Sequence, residues 1–333
     1  LIRSAIGYKA AAAASQGGKK AFLKATELVI KTMMESLTHR LEVLMLYGGS
    51  GLGKIESSVN VSATETTVTF SGGSFASGIW VGQKCTKIDI YDEAGALVVA
   101  DLEVGVVDVK AKTINITGAA ADITTLEGAL TALVAPAALD IFYKGAKGKE
   151  MLGLDRIITT RGVLFGVDNT SEDLHRGQIF DVQNAQLSFD KLTSALVCAR
   201  NYGLKDGDVM VLVNPDTWQD LNADEAALRE YDSSYSSSKA ERGTNGIYYN
   251  QAGVRMEVYQ HTMVKEGEAF LFPMKRLKRV GAWPESMKTP GHGDEMFRQL
   301  VDRAGYELRA YTDQALYVEK VAHCVKLENI VNS

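Results

Sequence analysis

From residue 19 onward, apolar positions recur at helical steps: Phe22, the adjacent Val29 and Ile30, Met33, Leu37, Leu41 and Leu44 follow one another at steps of three, four or seven, with Lys24, Glu27, Lys31, Glu35 and Arg40 between them. Such a stripe predicts one amphipathic helix over about 19–47. At ~1.5 Å per residue it spans on the order of 40 Å, more than a small domain is thick, so it would act as a strut. The run Gly48-Gly49-Ser50-Gly51-Leu52-Gly53 ends the stripe, with Gly48 suited to the left-handed position that stops a helix.

The period then shortens from three and four to two. Val59 and Val61, Val68 and Phe70, Ile88 and Ile90, Val104 and Val106, Ile114 and Ile116, and Ile141 and Tyr143 form short alternating runs bounded by Gly, Asp or Ser. This predicts about six strands in an inserted antiparallel unit, a sandwich or a barrel, over 56–143. Residues 119–138 read as a loop or a short helix. Beyond Lys144-Gly145 the pattern is mixed. Strands are expected at 157–159, 163–167, 208–213, 254–259, 269–272, 306–311 and 316–321, and amphipathic helices at 184–201 and from Asn214-Pro215 to about 229. Asn214 has N-cap chemistry, and Pro215 fits the first helical position. The Ser-rich stretch 231–246 reads as a mobile loop. The fold class is α+β.

Composition adds exclusions. Of the 333 residues, 46% are apolar and 23% charged, as in an ordinary globular protein. The net charge of −5 argues against a protein whose main work is coating nucleic acid. Cys85, Cys198 and Cys324 are far apart and suggest neither a disulfide framework nor a thiolate metal site. No apolar stretch reaches the ~18 residues a bilayer-spanning helix needs, and no secretion signal is visible. The chain begins at Leu1 without Met, so an N-terminal piece is either removed or lies outside this sequence.

The candidate chemistry is sparse. Gly48 to Lys54 fits the G-x-x-x-x-G-K of a phosphate-binding loop, but Ile55 stands where a magnesium-holding hydroxyl belongs, and a helix precedes where a strand should. It reads as a helix-terminating linker. Asp216, Asp220 and Asp224 share one helical face, which suits either a divalent cation or a solvated face. His39, His175, His261, His292 and His323 are dispersed without metal-ligand spacing, and adjacent His323 and Cys324 in a strand would point to opposite faces. No nucleophile elbow is present. Lys275, Arg276, Lys278 and Arg279 form the concentrated basic run, facing nucleic acid, a neighbour's carboxylates, or solvent along an edge strand. Tyr231, Tyr235 and Arg242 are the aromatic and guanidinium types that anchor interfaces. Neither a catalytic constellation nor a cofactor is indicated. The profile suits a structural building block.

The segment Lys20-Ala21-Phe22-Leu23 to Leu46-Tyr47-Gly48-Gly49-Ser50-Gly51 resembles the spine helix and Gly-rich exit of the Hong Kong 97-type major capsid proteins of tailed bacteriophages. Val81-Gly82-Gln83 and Thr113-Ile114-Asn115-Ile116 are similar to phrases of the β-rich insertions in that family, and Glu150-Met151-Leu152-Gly153-Leu154 to the return into the shell body. Val211 to Trp218 resembles the start of the axial domain. Gly253 to Tyr259, Val264 to Phe270 and Leu277 to Gly281 resemble the closing strands of the peripheral domain. The resemblance implies an N-terminal segment over 1–18, a spine helix and exit over 19–55, a β-rich insertion over 56–143 and an α+β shell body over 144–333. It implies a non-enzymatic subunit that assembles with copies of itself as hexamers and pentamers into an icosahedral head around double-stranded DNA. Cement or decoration, scaffold and portal proteins would be further partners. DNA would be held without sequence specificity and no membrane would be involved. The virion would be its location, after assembly in the host cytoplasm. Only 18 residues precede the helix, where the family has an extended arm and a hairpin loop, and no residue matches a self-crosslinking Lys/Asn pair. Other readings are a tail tube, sheath or decoration subunit, or a P-loop-like nucleotide-binding enzyme.

Overall fold

The computed structural model describes residues 2–7, 19–133, 137–205, 207–228, 247–251, 253–288, 297–299 and 305–332. It is α+β with two compact units, one formed by residues 1–45 with 279–317 and the other by 46–278 with 318–333.

In the first unit a strand, Ile2–Gly7 (β1), precedes the 29-residue helix Lys19–Tyr47 (α1), whose bounds match those read from periodicity. Met33 and Leu37 of its stripe pack with Leu308, Ala310 and Met287, and Ile2, Val29, Ile30 and Met34 border them. The helix is therefore laid on a sheet.

The second unit opens with the helix exit. The left-handed residues there are Gly49 and Gly51, at φ 79° and 90°, not Gly48, because the Ser50 N–H closes a turn on the Tyr47 carbonyl before the chain reverses. Six strands then close a barrel: Gly53–Ser62 (β2), Glu65–Phe70 (β3), Lys87–Tyr91 (β4), Leu97–Asp108 (β5), Thr113–Thr117 (β6) and Leu139–Tyr143 (β7), in the order β2-β3-β6-β5-β4-β7. In β3 every second residue is buried, so the period-two pattern fills the interior. The one-turn helix Ser77–Trp80 (α2) brings Trp80 to 5.3 Å from Phe70. Ala120–Thr131 is a helix (α3) that buries Ile123, Leu126 and Leu130. The barrel's two ends are paired directly, Gly53 with Ile141.

Glycine sets how the barrel meets the rest of this unit. A Cβ on Gly73 would lie 2.7 Å from the Gly267 Cα, and the Gly267 N–H donates to the Gly73 carbonyl at 2.8 Å. Gly78 bonds the Thr262 carbonyl at 2.9 Å, and Lys112 pairs with Glu266.

After the barrel, Leu154–Ile157 is a single helical turn (α4), not a strand at 157–159: Leu154 and Ile157, three apart, are both buried. Val163–Leu164 (β8) and Val167–Asp168 (β9) make a small hairpin. Gln178–Ala185 (β10) takes the first residues expected of the helix at 184–201. That helix is Phe189–Asn201 (α5), capped by Ser188.

The six-stranded sheet has the order β10-β18-β14-β11-β13-β12, built from Asp208–Val213 (β11), Ile247–Gln251 (β12), Val254–Gln260 (β13), Ala269–Phe272 (β14) and Val325–Ile330 (β18). β13 is the parallel neighbour of β11 and β14 its antiparallel one, so the segment likened to the axial domain shares a sheet with two of those likened to the peripheral domain, while Leu277 to Gly281 lies in the other sheet. α5 and the helix Pro215–Leu228 (α6) cover it through Leu192, Leu196 and Leu221. Asn214 caps α6 as expected, accepting from the Asp216 N–H at 3.0 Å and donating to the Val264 carbonyl at 2.7 Å. All four residues of β14 are buried, and Phe270 meets the Tyr47 ring edge-on at 6.1 Å.

In the first unit's sheet, Leu277–Ser286 (β15), Phe297–Gln299 (β16) and Gly305–Val318 (β17) join β1 in the order β1-β17-β15, with β16 also on β17. The strands expected at 306–311 and 316–321 are one strand, β17. Val321 and His323 lie in a 3-10 turn with Cys324 just after it, so the alternating-face argument for His323 and Cys324 does not apply.

Candidate functional site

The phosphate-loop reading of Gly48 to Lys54 fails on geometry. The Gly49 N–H donates to a Glu150 carboxylate oxygen at 3.0 Å, the Leu52 N–H to the Ile141 carbonyl at 2.7 Å and the Lys54 N–H to the Ser74 hydroxyl at 3.3 Å. These amides serve the chain's own acceptors, and a helix leads in while a strand leads out.

The basic run is drawn into the chain's own carboxylates. Lys275 lies 3.4 Å from Asp208, Arg276 3.9 Å from Glu319, and Arg279 3.8 Å from Glu285, while Lys278 also pairs with Glu319. Tyr231, Tyr235 and Arg242 lie outside the described residues. No group of three or more metal-ligating side chains is found among the described residues. Asp216 sits in the first turn of α6, where its charge complements the helix dipole.

Periodicity gave no sign of a buried ionic cluster beneath the helix exit. Lys265 is only 6% exposed, and its ammonium sits 4.0 Å above the Tyr47 ring and donates to the Gly51 carbonyl at 3.1 Å. Its backbone N–H donates to the Tyr47 hydroxyl at 2.8 Å. Lys326, 8% exposed, instead meets carboxylates: Asp155, and Glu268 and Glu328 at 3.0 Å each. Burial pulls the Lys265 ammonium below its ordinary pKa, although Glu268 and Asp155 pull it up. Burial also opposes the charge on Lys326, but Glu268, Asp155 and Glu328 together outweigh it and hold its pKa well above the usual value. Burial likewise opposes the Asp155 charge, yet Lys326 and Lys265 keep that carboxyl below the usual carboxylate range. The Tyr47 hydroxyl is raised by burial, then by Glu268. Residues 47, 155, 265 and 326 are too far apart in sequence for any motif to join them.

Two exposed features face outward. At the β8–β9 tip, Phe165 and Gly166 have φ of 52° and 82°, the turn that a two-residue hairpin requires. Phe165 is 57% exposed despite this rarely populated backbone conformation for an aromatic residue. Buried Asn169 braces the hairpin, its N–H donating to the Gly162 carbonyl at 3.0 Å while its side-chain oxygen meets His175 Nδ1 at 2.9 Å. The other feature is β15, at the edge of its sheet, where residues 278–284 are all exposed and Trp283 is 50% so.

No known protein family's sequence profile matches the chain, and no curated protein sequence does. Among solved structures, the chain is similar to a cyanophage A-1(L) capsid asymmetric unit at 13% identity and a TM-score of 0.41, over 56% of this chain and 61% of that one. An encapsulin of Synechococcus elongatus PCC 7942, in the holo-SrpI encapsulin complex, aligns at 15% identity and a TM-score of 0.32, over 54% and 56% of the two chains. A virus-like particle from Pyrococcus furiosus aligns at 15% identity and a TM-score of 0.25, over 42% and 48%. The chain thus spans about 61% of the length of the cyanophage chain.

Proposed function

We propose that the chain is a shell-forming structural protein, and within that class the major capsid protein of a tailed phage. It would have the Hong Kong 97-type fold and assemble as hexamers and pentamers around double-stranded DNA. The observation that carries this reading is β15: ten residues of strand whose positions 278–284 are exposed, on a sheet braced by a 29-residue helix. Among the described residues this strand has no partner on its outer edge, and an edge of that kind can be completed by a second copy. The in-chain pairing of Lys275, Arg276, Lys278 and Arg279, with a net charge of −5, suits a container that encloses DNA without gripping it. In this reading the virion is its location, assembly takes place in the host cytoplasm, and scaffold, portal or cement proteins are partners. Negative-stain electron microscopy of the expressed protein tests it: closed shells of uniform size are expected. Tubes, rings or only small discrete oligomers, with a scaffold supplied, would overturn it in favour of a tail or decoration subunit.

A further inference from the structure

We propose that the ionic cluster beneath the helix exit is an acid-released joint, in which protonating its carboxylates frees residues 47–51 while the six-stranded sheet stays folded. The geometry that leads there is the unequal hold on two buried ammoniums. Lys326 is surrounded by Asp155, Glu268 and Glu328, whereas Lys265 has a π face and one carbonyl. Lys265 is therefore tolerated in the interior through the field of carboxylates that belong mainly to Lys326. A buried charge stripped of its compensation is driven toward water.

Every element packed around the joint contributes to this balance. The helix exit supplies Tyr47, and Glu150 accepts the Gly49 N–H. The α4 turn supplies Asp155, with the Arg156 stem beside Gly49. The turn before β14 supplies Glu268, while Glu266 is engaged by Lys112 from the barrel. β18 supplies Lys326 and Glu328, and the barrel adds Asp140, itself 4.0 Å from Lys54. At neutral pH the carboxylates balance the two ammoniums. In strong acid they are neutral and two like charges remain, each disfavouring the other.

The sign is fixed by Asp155. Its folded-state pKa is depressed, so its contribution is present above its unfolded value and is lost as pH falls through the folded one. Lys265 enters through its charge: as an ammonium it is repelled by Lys326 once Asp155 no longer compensates the pair.

Hydrogen exchange of the full-length chain, corrected for the chemical rate and followed by peptide mass spectrometry, tests this at pH 7 and pH 2.5. Protection of 46–53 should fall by roughly tenfold or more in acid while 208–213 keeps its own; tenfold corresponds to one pH unit of linkage. Asp155→Asn should reproduce the loss at pH 7, and Lys265→Met should retain protection at pH 2.5. If Asp155→Asn does not give a folded circular dichroism spectrum, Glu268→Gln serves in its place. Equal protection of 46–53 at both pH values overturns the proposal, and so does loss that occurs only together with 208–213. A Lys265→Met chain that opens as readily as the parent overturns it too. None of these outcomes depends on whether the protein forms shells.

Discussion

β14 and β15 are separated by four residues and have opposite environments. Every residue of Ala269–Phe272 is buried, between α5 and α6 on one face of the sheet and Tyr47 on the other. In Leu277–Ser286, positions 278–284 are all exposed. The first strand is determined by the chain's own core, because shifting its register by one residue would carry every side chain to the opposite face. Among the described residues the second is defined by its pairing with β17 and by ion pairs of Lys278 and Arg279, not by a buried core. One part of the molecule is thus complete as a folded body, and another is stable in a form that leaves contact surface available.

That contrast can be broken most forcefully from the buried side. Phe270→Ala removes a side chain with no exposed surface that packs on Tyr47, and should cost about 3–5 kcal/mol. Urea unfolding would read this as a lower midpoint with an unchanged slope. A loss under about 1 kcal/mol would mean that this core is looser than its burial implies.

Gly73→Ala attacks the docking of barrel on body. Gly73 combines a φ of 77° with a backbone approach that leaves no room for a methyl group, so about 1–3 kcal/mol should be lost. Limited proteolysis should then cut first near Gly48–Gly53 or Lys144–Gly148. A first cut inside 104–116 would indicate that the barrel itself had come apart.

Trp283→Ala sharpens the exposed side. Its effect on the unfolding of isolated chains should stay within about ±0.5 kcal/mol, as for a half-exposed surface residue. The yield of assembled particles, counted by electron microscopy, should drop. A mutant that assembles normally removes β15 from the contact surface.

The same contrast explains what could be read in the linear pattern. α1 declared itself because one stripe over 29 residues is hard to mistake, and the barrel strands did so because β3 and β6 alternate without a break. The Asn214-Pro215 cap is local chemistry and was visible as such. β18 was missed because buried Lys326 and intermediate Glu328 break its apolar run, and what compensates them lies at positions 155 and 268. The strand expected at 157–159 is not formed because the adjacent apolar pair Ile157-Ile158 suits either state until its neighbours are known, and Ile157 instead closes a helical turn with Leu154. Gly73 and Gly267 gave no signal either, since a close approach of two backbones leaves no periodic trace.

The opening strand has a consequence for synthesis. β1 pairs Ile2 with Ala310 and Gly7 with Gly305, so this strand bonds with residues translated about 300 positions after it. At the usual ~5–20 residues per second the strand waits about 15–60 s for its partner. Over that interval the apolar side of the helix is made but has no sheet to lie on, because Leu308 and Ala310 are not yet translated. The barrel and most of the six-stranded sheet can form meanwhile, and Asp208–Val213, Val254–Gln260 and Ala269–Phe272 are all complete before Leu308 emerges. The nascent protein therefore passes through a stage in which a folded body trails an uncovered amphipathic helix. That is the stage at which a holding chaperone, or premature contact with a sister chain, would have the most to grip.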